Sequence, residues 1–269
     1  MFQAGLEGVA MRKEWGLAAI ACLLLSGCGG SGPFGDMEPG ERGRVVRIID
    51  GDALVLDTGQ SVRLVGVEAP AMNWRDDDPE PHAEASSRML EDLVMGREVR
   101  LYYPGLTRDR YDRALAHVAT ADAKGPAYWL NMEMLRRGGA RLRVYPDTSA
   151  GSEALLEAEL AAREASIGLW KEAEYLPLRA SAVTPETRGF LIIFAELAGP
   201  ASQPEETYGD PPACSRQTQG GALIIDIETS AEILCDTEAG VKAELRGWVS
   251  GGRLELVHPL HFVRLPDGG

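Results

Sequence analysis

The run Asp50-Gly51-Asp52-Ala53-Leu54-Val55-Leu56-Asp57-Thr58-Gly59-Gln60-Ser61-Val62-Arg63-Leu64-Val65-Gly66-Val67 decides the fold. Two short apolar segments, Ala53 to Leu56 and Ser61 to Val67, are divided by Thr58-Gly59-Gln60, and a third, Arg44 to Ile49, precedes Asp50-Gly51-Asp52. Glycine-centred turns between short runs rich in Val, Ile and Leu make hairpins, so this stretch reads as a three-strand meander. Further along, Ala85, Met89, Leu90, Leu93 and Val94 share one face of a helix over His82 to Met95, which Gly96 stops. Strands are expected at Glu98 to Tyr103 and Ala114 to Ala119. Helices follow near Ala127 to Arg137 and over Ser152 to Ser166, ended by Gly138 and Gly168. The pattern is mainly β with α: an OB-like five-stranded Greek-key barrel with trailing helices.

Four blocks stand in order along this segment: Asp50-Gly51-Asp52, Arg63 to Pro70, Asp109-Arg110-Tyr111-Asp112-Arg113, and Ala161-Ala162-Arg163 with Gly168-Leu169-Trp170. In order and spacing they resemble the staphylococcal nuclease (thermonuclease) family, over roughly Gly43 to Tyr175. Phosphodiester hydrolysis builds negative charge on phosphorus, so such a site uses a hard cation held by carboxylates and rigid guanidinium donors. The resemblance implies Ca2+ as cofactor, with Asp52 as the metal carboxylate, Asp50 as its neighbour, Glu68 in place of a second aspartate, and the Ala69 carbonyl as a further ligand. It implies Arg63 and Arg113 as the phosphate-clamping, catalytic arginines. Two further positions depart from the family pattern. Ala71 stands where the family places its water-activating glutamate, and Asp112 replaces a glycine. The loop Asn73 to Glu80 carries four acids, which read either as a solvated run or as a source of the missing carboxylate. Tyr111, Tyr102 and Tyr103 are expected in core packing, with stacking on a base as the alternative.

The amino terminus has a basic start after Met11, an apolar run from Leu17 to Leu25, and then Leu25-Ser26-Gly27-Cys28. The run is too short for a stable bilayer span and has the length of a signal-peptide core. Its end resembles the bacterial lipobox, which implies lipidation of Cys28 and a mature protein that is extracytoplasmic and anchored to the cell envelope. Residues 1–28 are thus expected as a signal peptide, 29–40 as a Gly/Pro/Ser tether, 41–177 as the nuclease-like domain and 178–269 as a second, small β-rich domain. In that last part, alternating runs at Gly189 to Leu197, Ala222 to Ile227, Glu232 to Cys235, Val241 to Val249 and Arg253 to Val257 are expected as strands, with Gly199 to Gly221 as a mobile loop. Cys214 and Cys235 are expected to form a disulfide in an oxidising compartment, with two buried thiols as the alternative. His258 and His261 lack acids or cysteines at ligand spacing and are expected in packing.

The chain carries 27 Lys+Arg against 41 Asp+Glu, a net charge of −14. That excludes a protein that coats polyanions, but not a local phosphate site. Two functions remain: calcium-dependent hydrolysis of nucleic-acid phosphodiesters, or a nuclease-fold lipoprotein that binds or scaffolds in the envelope after its chemistry has lapsed. Nucleic acid and, through Cys28, the membrane are the partners; no protein partner follows from the sequence.

Overall fold

β1 (Glu38–Asp50) is 13 residues long and serves two partners, its first half pairing with β5 (Glu98–Tyr103) and its second with β2 (Ala53–Leu56). Register shifts within β1 bend it enough to do both. The chain continues through β3 (Ser61–Leu64), β4 (Val67–Glu68), α1 (Ala83–Val94), β6 (Ala114–Thr120), α2 (Leu130–Arg136), β7 (Arg141–Leu142) and α3 (Ser152–Glu164). Parallel pairing of β3 with β6 closes a five-stranded barrel in the order β1-β2-β3-β6-β5. This computed structural model describes residues 32–72, 78–203 and 210–266.

Leu54, Leu64, Leu101, Val118, Leu130 and Met134 are fully buried in the first core. Asn131 of α2 pins the helix to the barrel. Its Oδ1 accepts the Val118 N–H at 2.9 Å and its Nδ2 donates to the Val65 carbonyl at 2.7 Å, so a buried amide is satisfied by β6 and the residue that follows β3.

The second half holds β8 (Leu178–Arg179), β9 (Gly189–Pro200), β10 (Cys214–Thr218), β11 (Ile224–Ile227), β12 (Lys242–Ser250), β13 (Arg253–Leu256) and β14 (Phe262–Arg264). β12 pairs with both β13 and β9, which closes the ring β9-β10-β11-β13-β12. Its connectivity repeats the first barrel. A long first strand has two partners, the third and fifth strands run parallel, and the fourth returns antiparallel to the first. The sequence expectation of a second small β-rich domain therefore becomes a second OB-like barrel.

Three local readings are corrected. Glu232 to Cys235 is not a strand but part of a 3-10 helix, Thr229–Asp236, occupying the position between third and fourth strands. Its backbone is held by the Cys214–Cys235 disulfide, Cα atoms 6.0 Å apart, and by Arg216, which donates to the Cys235 carbonyl at 2.8 Å. The polar stretch from Gly199 to Gly221 contains β10, whose polar residues are buried yet paired. Ser215 donates to Asp226 at 2.6 Å and Thr218 to the Leu223 carbonyl at 3.0 Å. The segment 29–40 is not a tether from Gly32 onward, because Phe34 stacks on Tyr102 at 4.2 Å, Met37 is buried and β1 begins at Glu38.

From Gly32 the chain forms one compact unit. The junction between barrels is ionic and apolar together. Arg246 of β12 donates to Glu159 of α3 at 2.8 Å and to Glu244 at 2.7 Å, while Arg163 of α3 grips both Glu244 oxygens at 2.7 and 2.8 Å. Trp170, Leu169 and Ala162 pack with Ile192 of β9 beside it. His261 is fully buried here, and its Nε2 accepts the Val144 N–H at 3.1 Å. Burial, reinforced by Arg246, His258 and Arg143, pushes its imidazole down to about 3, so it stays neutral. Packing, as expected, is its role.

Candidate active site

Asp50-Gly51-Asp52 turns the chain between β1 and β2, with the Asp52 N–H donating to Asp50 Oδ1 at 3.0 Å. Only glycine fits in the middle. A Cβ on Gly51 would lie 1.8 Å from Ser86 Oγ and 2.7 Å from the Ala69 Cβ, because the turn is pressed between α1 and the strand exit carrying Ala69.

Asp52 is only 2% exposed. Its Oδ2 accepts the Ala69 N–H at 2.9 Å and Arg63 Nη2 at 3.2 Å, while its Oδ1 is buried without a partner. Burial pushes the carboxyl up to about 7; Asp50 and Glu68 add to the rise, and Arg63 and the Ala69 N–H oppose it. For Arg63, burial works against the charge, but Asp52, Glu68 and Asp50 outweigh it and raise the pKa. Glu68 is committed elsewhere: it pairs with Arg141 at 3.4 Å and with Arg143. Among the described residues no three acids, histidines or cysteines form a metal-binding group. The orphaned Asp52 oxygen, with Asp50 and Glu68 near enough to perturb it, nevertheless fits a hard cation that takes oxygen ligands and keeps several waters.

Arg63 lies on β3 and Arg113 immediately precedes β6, the parallel neighbour of β3. Both line one cleft of about 550 Å³, together with Arg108, Arg110 and Arg143. Arg113 Nε donates to Asp109 Oδ2 at 2.7 Å, and Asp109 Oδ1 accepts the N–H groups of Tyr111 and Arg113 at 2.9 and 3.0 Å. Partial burial works to raise the Asp109 carboxyl, but these donors hold it below the usual carboxylate range. Asp112 sits at φ +61, the left-handed region that favours glycine and that aspartate tolerates. The tight loop between Asp109 and Arg113 thus survives without a glycine.

Of the three tyrosines, Tyr102 and Tyr103 pack as expected: one stacks on Phe34, the other is buried and donates to Glu41 at 2.5 Å. Tyr111 does not. It is 66% exposed at the cleft, flanked by Arg110 and Arg113 at 4.9 and 5.7 Å from its ring. Ala71 is also occupied in an informative way. Its N–H donates to the Glu80 carboxylate at 2.8 Å, and the Glu80 N–H returns to the Ala71 carbonyl at 2.9 Å. Of the four loop acids, Glu80 is therefore fixed beside position 71; Asp76 and Asp77 lie outside the described residues.

Arg143, Arg141 and Tyr145 escaped the sequence reading. Their signal was the alternation Arg141-Leu142-Arg143-Val144-Tyr145, with Leu142 and Val144 buried and the other three more exposed.

A family model described as staphylococcal nuclease homologue matches residues 61–172, ending before the second barrel. Among known proteins, a thermonuclease of Staphylococcus intermedius is 30% identical over 159 residues, covering 57% of this chain and 92% of its own. A thermonuclease of Staphylococcus hyicus is 28% identical over 166 residues, with the same coverage. An uncharacterized endonuclease of Escherichia coli is 33% identical over 138 residues, 50% of this chain and 80% of its own.

Proposed function

This chain belongs to the staphylococcal nuclease family, and on that premise we propose that its arginine-lined cleft hydrolyses nucleic-acid phosphodiesters with the aid of calcium. One observation carries the reading: Arg63 and Arg113, fifty residues apart in sequence, reach a single cleft from adjacent parallel strands beside a buried carboxylate with a free oxygen. Two planar guanidinium forks match the oxygens of a phosphodiester and strengthen their hold as charge builds on them. Asp52, Asp50, Glu68 and the Ala69 carbonyl would hold the cation. When bound, it supplies Lewis-acid polarisation of the phosphoryl group and acidifies a coordinated water. Glu68 would join that set in exchange for its pairing with Arg143, which would then be available to phosphate. Glu80, fixed beside residue 71, is the carboxylate that orients the attacking water.

The alternative is a cleft that binds nucleic acid without cutting it, favoured by the Ala71 methyl group. Hydrolysis assays on the purified chain separate the two. Calcium-dependent cleavage, abolished by chelator and lowered about a hundredfold in Glu80→Gln, supports the nuclease. Absent cleavage, appearing only in Ala71→Glu, supports the binding reading. The cation leaves a thermal signature as well. The folded pKa of Asp52 is raised above its ordinary value, so without metal its charge destabilises the fold as pH rises from about 4 through about 7. Calcium relieves that penalty only where Asp52 is ionised. A melting-temperature rise with calcium is expected at pH 8 and not at pH 5, corresponding to about 2.7 kcal/mol at a hundredfold excess over Kd.

We further propose that the protein is exported and lipid-anchored at Cys28. The signal segment lies outside the described residues; support comes from its sequence and from the Cys214–Cys235 bond, which suits an oxidising compartment. Incorporation of a palmitate analogue, lost in Cys28→Ser together with membrane association, is the expected result. Labelling that persists in Cys28→Ser would sink the assignment.

A further inference from the structure

Arg143 joins the cleft to the second barrel. It lines the cleft with Arg63 and Arg113, and its guanidinium carbon lies 5.1 Å from the ring of Tyr145, 5.1 Å from Phe190 and 5.8 Å from Trp248. Phe190 of β9 and Trp248 of β12 are cross-strand partners. They divide the work of that position. Phe190 is buried at 4% exposure, whereas Trp248 leaves 47% of its surface in water, and Tyr145 on the other side of Arg143 leaves 46%. Two half-exposed aromatic rings thus flank one cation of the arginine-lined cleft.

We propose that Trp248 is a base-stacking subsite, contributed by the second barrel, that takes an unpaired nucleobase of single-stranded nucleic acid whose backbone runs through the arginine cleft. This rests on the reading of that cleft as a phosphate site. The combination has a physical logic: a groove of guanidinium groups tracks the backbone, and an aromatic face beside it takes a base whatever its identity. In a duplex both faces of each base are covered by stacked neighbours, so the subsite selects single strands. Its placement is rigid. Trp248 is two residues from Arg246, the residue that fastens β12 to α3, and strand pairing is so close at Gly247 that a Cβ there would lie 2.1 Å from the Glu255 carbonyl. Glu255, paired across from Trp248, is the opposing feature, an acid beside a subsite for a polyanion.

The test is fluorescence anisotropy with the full chain in chelator, using a labelled single-stranded oligonucleotide long enough to pass both barrels and a labelled dinucleotide. Trp248→Ala is expected to weaken the oligonucleotide about tenfold more than the dinucleotide, as loss of one stacked base requires. Trp248→Phe restores most of the difference, and Glu255→Gln tightens the oligonucleotide. Because Trp248 is half exposed, a melting temperature close to wild type accompanies each variant. If Trp248→Ala binds both probes as wild type does while Arg63→Ala loses both, the subsite is wrong and the cleft assignment stands. If wild type binds neither probe, or Arg63→Ala binds as well as wild type, the cleft assignment falls and takes the subsite with it.

Discussion

Arg63→Ala lowers the rate of nucleic-acid hydrolysis by about a hundred- to a thousandfold, the effect of removing one preorganised charge-stabilising donor from an active site. Arg63 acts twice in this cleft. On the proposed reading it faces phosphate, and among the described residues it is the only side chain bonded to the Asp52 carboxylate, at 3.2 Å, in a pocket where the other Asp52 oxygen has no partner. Removing it leaves Asp52 with the Ala69 N–H alone, which raises a carboxyl already pushed up to about 7. The variant should therefore lose thermal stability at pH 8, where the wild-type carboxylate is charged, and lose little at pH 5, where it is protonated. Arg63→Lys keeps a charge but not the planar fork, and only part of the rate should return. Single-turnover kinetics on wild type and both variants measure this. A loss of less than tenfold in Arg63→Ala would remove Arg63 from the chemistry.

Arg246→Ala destabilises the protein by about 3–5 kcal/mol, the typical effect of stripping one partner from a buried ion pair. The Arg246 side chain and the Glu159 side chain are both fully buried, and the Glu244 side chain is 5% exposed. Burial acts against the Arg246 charge, yet Glu159 and Glu244 outweigh it and raise its pKa. Alanine leaves Glu159, among the described residues, facing Arg163, 3.8 Å away, and the Leu142 N–H. Urea unfolding is the measurement, and a change below about 1 kcal/mol would show the network to be expendable. Because Glu159 also holds the backbone of β7, which carries Arg141 and borders Arg143, loss of Arg246 reaches the cleft as well as the junction.

The first barrel was legible because its strands alternate locally and its turns are marked by glycine; β2 and β5 fall where the pattern put them. Arg63 and Arg113 entered by another route, the resemblance of their short blocks to a known family, and the structure brings both to one cleft. What escaped was whatever depends on distant pairing. β10 reads as loop because Cys214, Ser215, Arg216 and Thr218 are polar, and they are buried only because Asp226, Cys235, Ala198 and Leu223 supply partners from elsewhere. The basic cleft escaped for the same reason. Its arginines come from β3, the 108–113 loop and the residue after β7, so no window of the acidic sequence shows them together.

The pairing of Glu68 with Arg141 and Arg143 gives the cation-free protein a property of its own. On the proposed reading, a cation arriving at this cleft would not add a positive charge to an empty anionic hole; it would compete with resident guanidinium groups for the same carboxylate. Loading would then be an exchange, expected to be weaker than in a site with two open carboxylates. On the proposed reading, these pairs would hold Glu68 in place without the cation, and loading would leave Arg143 to the substrate side.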